Sequence, residues 1–192
     1  MKVIQLHQEE KQLIMLAVEN NRQAQQQIYA KFSSKMLSVC RQYIKDIHHA
    51  EDVMITGFMK VFTNLKNFEH KGSFEGWIRR IMVYECIDFL RVKKNNFNHQ
   101  DIEDVTISEN ESVYEMEDFS VDDIQNMIDN LPDGYKMVFN LYAIEGYKHQ
   151  EIAEMLKISE GTSKSQLSHA RKLLQQQITD LKNKLNDIAT IR

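Results

Sequence analysis

Polar side chains in the segment 149–171 have the spacing of a nucleic-acid contact. The segment reads HQEIAEMLKISEGTSKSQLSHAR, in which Ile152, Ala153 and Leu156 recur at helical spacing. The connector that follows ends at Ser159, whose hydroxyl can satisfy a free backbone N–H and so favours the start of a new helix. Two helices joined in this way predict a helix-turn-helix, whose second helix enters the major groove of DNA. The candidate DNA contacts on that helix are Thr162, Lys164, Ser165, Gln166, His169, Arg171 and Lys172.

A helical hairpin with a solvated polar face is the plainer interpretation of this segment. Ala153 favours the helix-turn-helix because a small residue lets two helices approach closely, and Ile158 is an apolar residue that can fill the turn. We therefore expect Lys164 and Arg171 to contact phosphates and Gln166 to read a base edge.

Basic and aromatic residues alternate in a second segment, residues 71–94, which reads KGSFEGWIRRIMVYECIDFLRVKK. A basic helix of this kind can hold a nucleic-acid backbone while its aromatic rings stack on open bases. Two alternatives remain open, since the aromatic residues can belong to the core and the final lysines can cap the end of a helix. The candidate contacts are Lys71, Trp77, Arg79, Arg80, Tyr84, Arg91, Lys93 and Lys94.

A third feature is a helix over residues 50–65 with two apolar faces. One face carries Met54 and Phe58, and the neighbouring face carries Ile55 and Met59. A second apolar face on a surface helix indicates a protein partner. A helix that is buried on two sides of its own bundle would give the same pattern.

The sequence lacks the motifs of common catalytic and metal sites. It contains no phosphate-binding loop, no G-x-S-x-G elbow and no H-E-x-x-H pair, and its seven histidines are scattered. Cys40 and Cys86 are the two cysteines, and without a paired spacing they are expected to be small core residues. We predict no catalytic residues, no metal and no cofactor, so an enzyme is disfavoured.

The elements that must position these residues are predicted to be helices, which gives an all-α fold. Proline occurs once and glycine six times in 192 residues, so chain breakers are few. Residues 1–27 are expected to form a leading helix. The final apolar stripe continues to Ile188, so the last helix is either long or broken into two. Apolar stripes lie at Tyr29, Phe32, Met36, Cys40 and Tyr43; at Met54, Phe58, Val61 and Leu65; at Ile78, Met82, Cys86 and Phe89; at Ile124, Met127, Ile128 and Leu131; at Val138, Leu141 and Tyr142; and at Leu167, Ala170 and Leu174.

The charge is distributed unevenly along the chain. Ten acidic residues and no lysine or arginine lie between Asp101 and Asp123, and without this run 18 acidic residues face 24 basic ones, a net charge of +6 against −4 for the whole chain. Residues 95–119 are therefore predicted to be an extended, mobile linker. It would join a first domain, residues 1–94, to a helix-turn-helix domain, residues 120–192.

Targeting signals are not visible in the sequence. The first ten residues contain no apolar stretch of the secretory type, and no apolar run approaches the ~20 residues that cross a bilayer. The expected location is the cytoplasm.

Three blocks resemble, in family order, the extracytoplasmic-function (ECF) sigma factors of bacterial RNA polymerase. AEDVMITGFMKVF at 50–62 resembles their polymerase-binding helix, KGSFEGWIRRI…IDFLR at 71–91 their promoter-melting segment, and 131–174 their helix-turn-helix domain. The resemblance implies a first domain that binds core polymerase and the −10 promoter element, a second that binds the −35 element, and a linker that runs through the polymerase. It implies core RNA polymerase and promoter DNA as partners, with room for an anti-sigma factor. The implied polymerase-binding residues are Asp52, Ile55, Phe58, Met59 and Lys60.

The chain departs from the family pattern at three places. Met54-Ile55-Thr56 stands where a polar T-Q-E run is frequent, and Tyr84 replaces a frequent asparagine of the melting helix. Gln166 replaces an arginine of the recognition helix, and since arginine pairs best with guanine and glutamine with adenine, the −35 preference is expected to differ. The tail after Ile178 lies outside the resemblance.

The sequence is compatible with two alternative functions. A two-domain DNA-binding regulator that does not engage polymerase would need only the helix-turn-helix. A sigma-like decoy that binds an anti-sigma protein would not need the basic residues of both domains, and it would be expected to carry a receiver-like βα pattern, which is missing. The sequence favours an alternative sigma factor that promotes transcription initiation.

Overall fold

The computed structural model describes the backbone of residues 2–96 and 120–190, and side chains within 9–92 and 120–183. All regular structure in these ranges is helical, as predicted. The chain divides into two compact units, Met1–Asn98 and His99–Arg192. The predicted linker at 95–119 falls almost wholly outside the described residues.

Four α-helices and one short 3-10 turn form the first unit. Asn20 adopts a left-handed backbone with φ of 62°, which ends the first helix, and the side chain of Asn21 accepts a hydrogen bond from Ala24 N–H to start the second. The leading helix predicted over 1–27 is therefore two helices that meet at this turn. The elements are α1 Lys2–Val18, α2 Arg22–Tyr43, α3 Ile47–Asn64, the 3-10 turn Leu65–Asn67, and α4 Phe74–Asn96.

The core of the first unit lies between α2, α3 and α4. The predicted stripes of these helices meet there, and Phe32, Val61 and Met82 are all buried. Gly57 of α3 lies against Met82 of α4, because a Cβ atom at this position would overlap the end of the methionine side chain. The absence of a side chain at Gly57 thus makes room for a long methionine on the facing helix.

Four α-helices and a π-helical turn form the described part of the second unit. Ser120 and Asp123 cap its first helix by a reciprocal hydrogen-bonded box, and Pro132 separates the first two helices. The final helix is single and long, which settles the alternative left by its sequence pattern. The elements are α5 Val121–Asp129, α6 Asp133–Phe139, the π-helical turn Asn140–Ile144, α7 His149–Leu156, and α8 Glu160–Thr190.

Helices α7 and α8 form the predicted helix-turn-helix. Lys157 ends α7 in a left-handed conformation with φ of 57°, and the Thr162 N–H donates to Ser159 Oγ over 2.9 Å at the start of α8. Ile152 and Leu167 are buried between the two helices. The capping and packing positions read from the sequence therefore place α8 as the second helix of the motif.

Candidate nucleic-acid interface

Exposed polar residues form one row along the first turns of α8. Lys164, Ser165, Ser168 and Arg171 are exposed and Lys172 is half-buried, while Ser163, Leu167 and Ala170 on the opposite side are buried. Since residues three and four apart share a helix face, the exposed side chains project together. We call Lys164, Ser165, Ser168, Arg171 and Lys172 the recognition row.

An acidic residue lies at the start of this row. Lys164 Nζ is 2.7 Å from Glu160 Oε1, one turn earlier on α8. The hydrogen bond from Lys164, together with its charge, lowers the pKa of the Glu160 carboxyl, which is therefore ionised at neutral pH. Part of the positive charge of the row is thus offset within the helix.

Two predicted DNA contacts, Thr162 and Gln166, face other parts of the second unit. Thr162 is half-buried, and its hydroxyl is 2.8 Å from Ser159 Oγ. The amide of half-buried Gln166 lies over the α6 residue Gly134, where an added Cβ would be 3.3 Å from Nε2. These side chains flank the recognition row instead of belonging to it. The predicted reading of a base by Gln166 is not tested by this geometry and stays a prediction.

His169 has an aromatic partner on α6. Its imidazole stacks on the ring of Tyr135, with centroids 5.4 Å apart and planes 13° apart. The residue is half-buried, so the stack fixes the ring at the edge of the recognition row.

Arg171, at the far end of the row, lies against the π-helical turn. Its guanidinium carbon is 5.7 Å from the ring centroid of Tyr142. The same ring stacks on His149 at 4.6 Å, and His149 Nδ1 is 2.9 Å from the buried hydroxyl of Ser163. Side chains from the π-helical turn, α7 and α8 are thus connected.

In the first unit, the predicted aromatic residues of α4 lie near its surface. Trp77 is half-buried and stacks on Phe74, with ring centroids 5.8 Å apart and planes 15° apart. The ring of Phe68 also contacts Trp77, with centroids 5.5 Å apart. Tyr84 is exposed, and Arg80 lies over its ring at 5.8 Å. Trp77 therefore packs against the core and also presents part of its ring at the surface, and its contact with a base stays a prediction.

A surface cleft of about 270 Å³ lies between the end of α3 and the exposed side of α4. Its walls carry an ion pair, in which the exposed Lys60 contacts the buried carboxylate of Glu85. Amide groups and aromatic rings complete a surface that can hydrogen-bond and stack against a base. The lining residues are Lys60, Asn64, Asn67, Trp77, Ile81, Tyr84 and Glu85.

The other basic candidates of this segment lie at varied positions. Lys71 Nζ pairs with Glu69 at 2.6 Å, and Arg91 Nη1 with Asp88 at 3.0 Å. Arg79 is half-buried. The side chains of Lys93 and Lys94 lie outside the described residues.

The outward face of α3 carries an apolar pair. The side chains of Ile55 and Met59 are 49% and 66% exposed, and Asp52 is exposed beside them. Phe58 is only 2% exposed, and its ring meets Tyr29 edge to face at 4.8 Å. Phe58 therefore builds the core and offers no surface to a partner, in contrast to the role that the resemblance implied.

Sequence reasoning missed several residues of these surfaces. Ser168 could have been found, because it lies four residues after Lys164 on the same helix face. Tyr142 and Glu85 owe their positions to other helices, and no spacing within one segment indicates such contacts.

Two negative findings apply to the described part of the chain. Within it, no group of three or more histidine, cysteine or acidic residues is placed to hold a metal ion. Among the helices described, none combines the length and the apolar character needed to cross a membrane.

Both units match known domain families. Residues 28–96 match the Sigma-70 region 2 family, and residues 121–174 match the Sigma-70, region 4 family. These ranges contain the α3 and α4 surfaces and the recognition row respectively.

Similarity to characterised sigma factors extends across both units. The chain is 30% identical over 163 residues to the ECF RNA polymerase sigma factor SigW of Bacillus subtilis, spanning 78% of this chain and 86% of that protein. It is 24% identical over 169 residues to the ECF RNA polymerase sigma-E factor of Haemophilus influenzae, spanning 80% and 87%. The fold is similar to that of the sigma factor RpoE, solved in complex with the anti-sigma factor NepR from Bartonella quintana, with a TM-score of 0.53, 19% identity and coverage of 80% of this chain and 96% of that one. The chain therefore belongs to the ECF sigma factors of the sigma-70 family, which act with RNA polymerase in the initiation of transcription.

Proposed function

We propose that three surfaces of this sigma factor each bind a different partner. The outward face of α3 binds core polymerase, the cleft between α3 and α4 binds the −10 element, and the recognition row of α8 binds the −35 element. The protein works in the cytoplasm, where the polymerase is, and catalyses no reaction of its own. The exposed pair Ile55 and Met59 carries the polymerase assignment, because two large apolar side chains one turn apart on one helix face form a patch that a partner protein can cover.

The polymerase surface is tested by placing charge in the apolar contact. Ile55→Asp combined with Met59→Asp should cost about 2 kcal/mol or more of association with core polymerase, because a carboxylate would have to be desolvated at the interface. Pull-down by core polymerase measures the binding, and permanganate footprinting of a melted promoter measures opening. Wild type should bind core polymerase and open the promoter, and the double variant should do neither. The circular dichroism spectrum of the double variant should stay as helical as that of wild type.

A matched control is available on α1. Met15 has the same 66% exposure as Met59 but lies on a different helix. Met15→Asp should leave polymerase association unchanged, while Met59→Asp alone should weaken it. Equal losses for both variants would mean that the contact is not specific to α3.

The −10 assignment rests on the chemistry of the cleft. Tyr84 and Trp77 can stack on an unpaired base, and the Lys60–Glu85 pair offers a donor and an acceptor beside it. Tyr84→Ala should reduce permanganate reactivity of the opened promoter without reducing polymerase pull-down. Unchanged opening by this variant would remove Tyr84 from the −10 contact.

The −35 assignment rests on the exposed cations of α8. Lys164→Ala should weaken binding to all duplex sequences about equally and lower the slope of log K against log salt by about 0.9, the value for one phosphate contact. Wild-type salt dependence in this variant would argue against a phosphate contact at Lys164.

An anti-sigma protein is a further partner that we propose, since the RpoE protein of similar fold was solved in complex with one. Such a partner should compete with core polymerase for this chain. Run-off transcription with core polymerase and this chain would measure the competition. Addition of increasing amounts of the purified anti-sigma protein should reduce the amount of transcript.

A further inference from the structure

The ring of Tyr142 connects the recognition row to the rest of the second unit. Tyr142 lies on the π-helical turn that precedes α7, outside the helix-turn-helix itself. Its ring contacts Arg171 at 5.7 Å, within the range of a cation–π interaction, and stacks on His149 at 4.6 Å with 23° between the planes. One aromatic side chain thus meets a residue of the row and a residue of the preceding helix.

His149 in turn holds this ring in place. Its Nδ1 shares a hydrogen bond of 2.9 Å with Ser163 Oγ, and Ser163 is fully buried on the inner side of α8. The imidazole is therefore fixed by α8 on one side and presents its face to Tyr142. The ring that faces Arg171 is supported by a side chain that cannot move without breaking a part-buried hydrogen bond.

An arginine held in this way is better prepared to bind a phosphate than a free one. A long exposed side chain loses rotamer freedom when it orders on a ligand, and that loss weakens binding. A guanidinium group packed on an aromatic face keeps its N–H edges available as donors, because the contact uses the face of the group and not its edges.

We propose that Tyr142 is a positioning residue that orients Arg171 for a phosphate contact in promoter DNA, with His149 and Ser163 as its support. The proposal rests on the proposed function of the recognition row. It adds that the affinity of this row depends on a side chain outside the helix-turn-helix.

The test uses the full-length protein and a short fluorescein-labelled DNA duplex of arbitrary sequence, since a phosphate contact does not require a promoter. Tyr142→Leu, Arg171→Ala and the double variant form a cycle, and Tyr142→Phe is the conservative variant. Anisotropy titrations at several salt concentrations give the dissociation constant and the salt slope for each protein.

Tyr142→Leu is expected to weaken binding about two- to fivefold, the range of an exposed cation–π contact, and to lower the salt slope toward that of Arg171→Ala. Tyr142→Phe keeps the aromatic face and should bind like wild type. In the Arg171→Ala background, Tyr142→Leu should have no further effect, because there is nothing left to position.

Two results would overturn the proposal. The first is wild-type affinity and salt slope in Tyr142→Leu. The second is an equal loss from Tyr142→Leu in both backgrounds, whether the ring touches DNA directly or the variant misfolds. Lys164→Ala separates this failure from failure of the proposed function. If Lys164→Ala weakens binding, the recognition row binds DNA whatever the role of Tyr142. If neither Lys164→Ala nor Arg171→Ala changes binding, the recognition row is not the DNA-binding surface.

Discussion

Lys60 on α3 and Glu85 on α4 form an ion pair that joins the two helices at the edge of the cleft. Lys60 was expected from the family resemblance to contact polymerase, but its ammonium group already has a buried acceptor within the first unit. Loss of polymerase binding in a Lys60 variant would therefore have two causes, a missing contact and a less stable domain. Ile55 and Met59 are better probes of the interface for this reason.

Removal of Lys60 should destabilise the first unit. Lys60→Ala leaves the Glu85 carboxylate buried without its cation, and we expect the free energy of unfolding to fall by about 1–3 kcal/mol, toward the lower end because Lys60 is half exposed. Urea unfolding followed by circular dichroism measures the change, with the exposed Lys66→Ala as the control. The pair Lys60→Met and Glu85→Leu should recover most of the loss. A Lys60→Ala protein as stable as wild type would contradict a structural role for the pair.

Gly57→Ala should destabilise the same unit although alanine is the better helix former. Helix propensity alone would add up to about 1 kcal/mol of stability. The new methyl group would lie 2.3 Å from Met82 Sδ in a fully buried position, and overpacking of this kind costs about 1–3 kcal/mol. Thermal unfolding should show a lower midpoint for Gly57→Ala, and a smaller effect of this change when Met82→Ala is already present. A rise in the midpoint would show that Met82 repacks freely.

Glu160→Gln should strengthen DNA binding by the second unit. The pKa of Glu160 is lowered, so the carboxylate is charged at neutral pH and opposes the phosphates that the recognition row would meet. Removal of this exposed charge also leaves Lys164 unpaired and should lower the dissociation constant about two- to fivefold at low salt. Glu154→Gln on α7 removes one exposed charge as well and is the matched control. Equal effects of the two variants would mean that only net charge matters.

The amide of Gln166 gives a prediction that differs from the sequence-based one. The sequence predicts that Gln166→Ala relaxes preference at a single base pair. Because the amide lies over Gly134 on α6, we expect instead a modest weakening on all duplexes, with Ser165→Ala or Ser168→Ala changing preference at one position. Binding to a library of −35 variants by each protein distinguishes the two. A base-specific effect of Gln166→Ala would restore the original interpretation.

Acid should destabilise the first unit partly through Asp46. This N-cap of α3 accepts hydrogen bonds from the backbone N–H and the ring of His49, which lower its pKa from 3.8 to about 2. A carboxyl with a lowered pKa stabilises the folded state above the unfolded value, and that contribution is lost as the pH falls from about 4 toward 2. Asp46→Asn keeps a capping oxygen but cannot titrate, so its unfolding midpoint should fall less than that of wild type between pH of about 5 and about 3. Asp52→Asn removes an exposed carboxyl elsewhere on the same helix and is the control for the change in net charge.

The fold could be predicted from the sequence where a single helix carries the signal. Phe32, Val61 and Leu167, which belong to three predicted stripes, are buried as the 3.6-residue period requires, and Ser159 caps α8 as its residue type favours. The same period placed Ile55 and Met59 off the buried stripe of α3, but it left open whether that second face is covered within the bundle, and the structure shows both side chains exposed. These predictions depend on local geometry, which the sequence specifies directly.

Contacts between helices could not be predicted in this way. Gln166 and His169 have residue types suited to DNA, yet α6 supplies Gly134 and Tyr135 as their neighbours. The position of α6 depends on the packing of the whole second unit, and no pattern within α8 encodes it. The same holds for Lys60, whose partner Glu85 is on the next helix.

The continuity of α8 has a mechanical consequence. The helix runs without a break from Glu160 to Thr190, and at 1.5 Å per residue it spans about 46 Å. Its first turns carry Lys164 and Arg171, so the segment beyond Ile178 is rigidly connected to the recognition row. If the recognition row binds DNA as proposed, a force, a bound molecule or a bulky fusion at the distal end would rotate or tilt Lys164 and Arg171 relative to the duplex. Two glycines inserted after Ile178 would make the helix flexible at that point. The positions of Lys164 and Arg171 would then no longer depend on the distal segment.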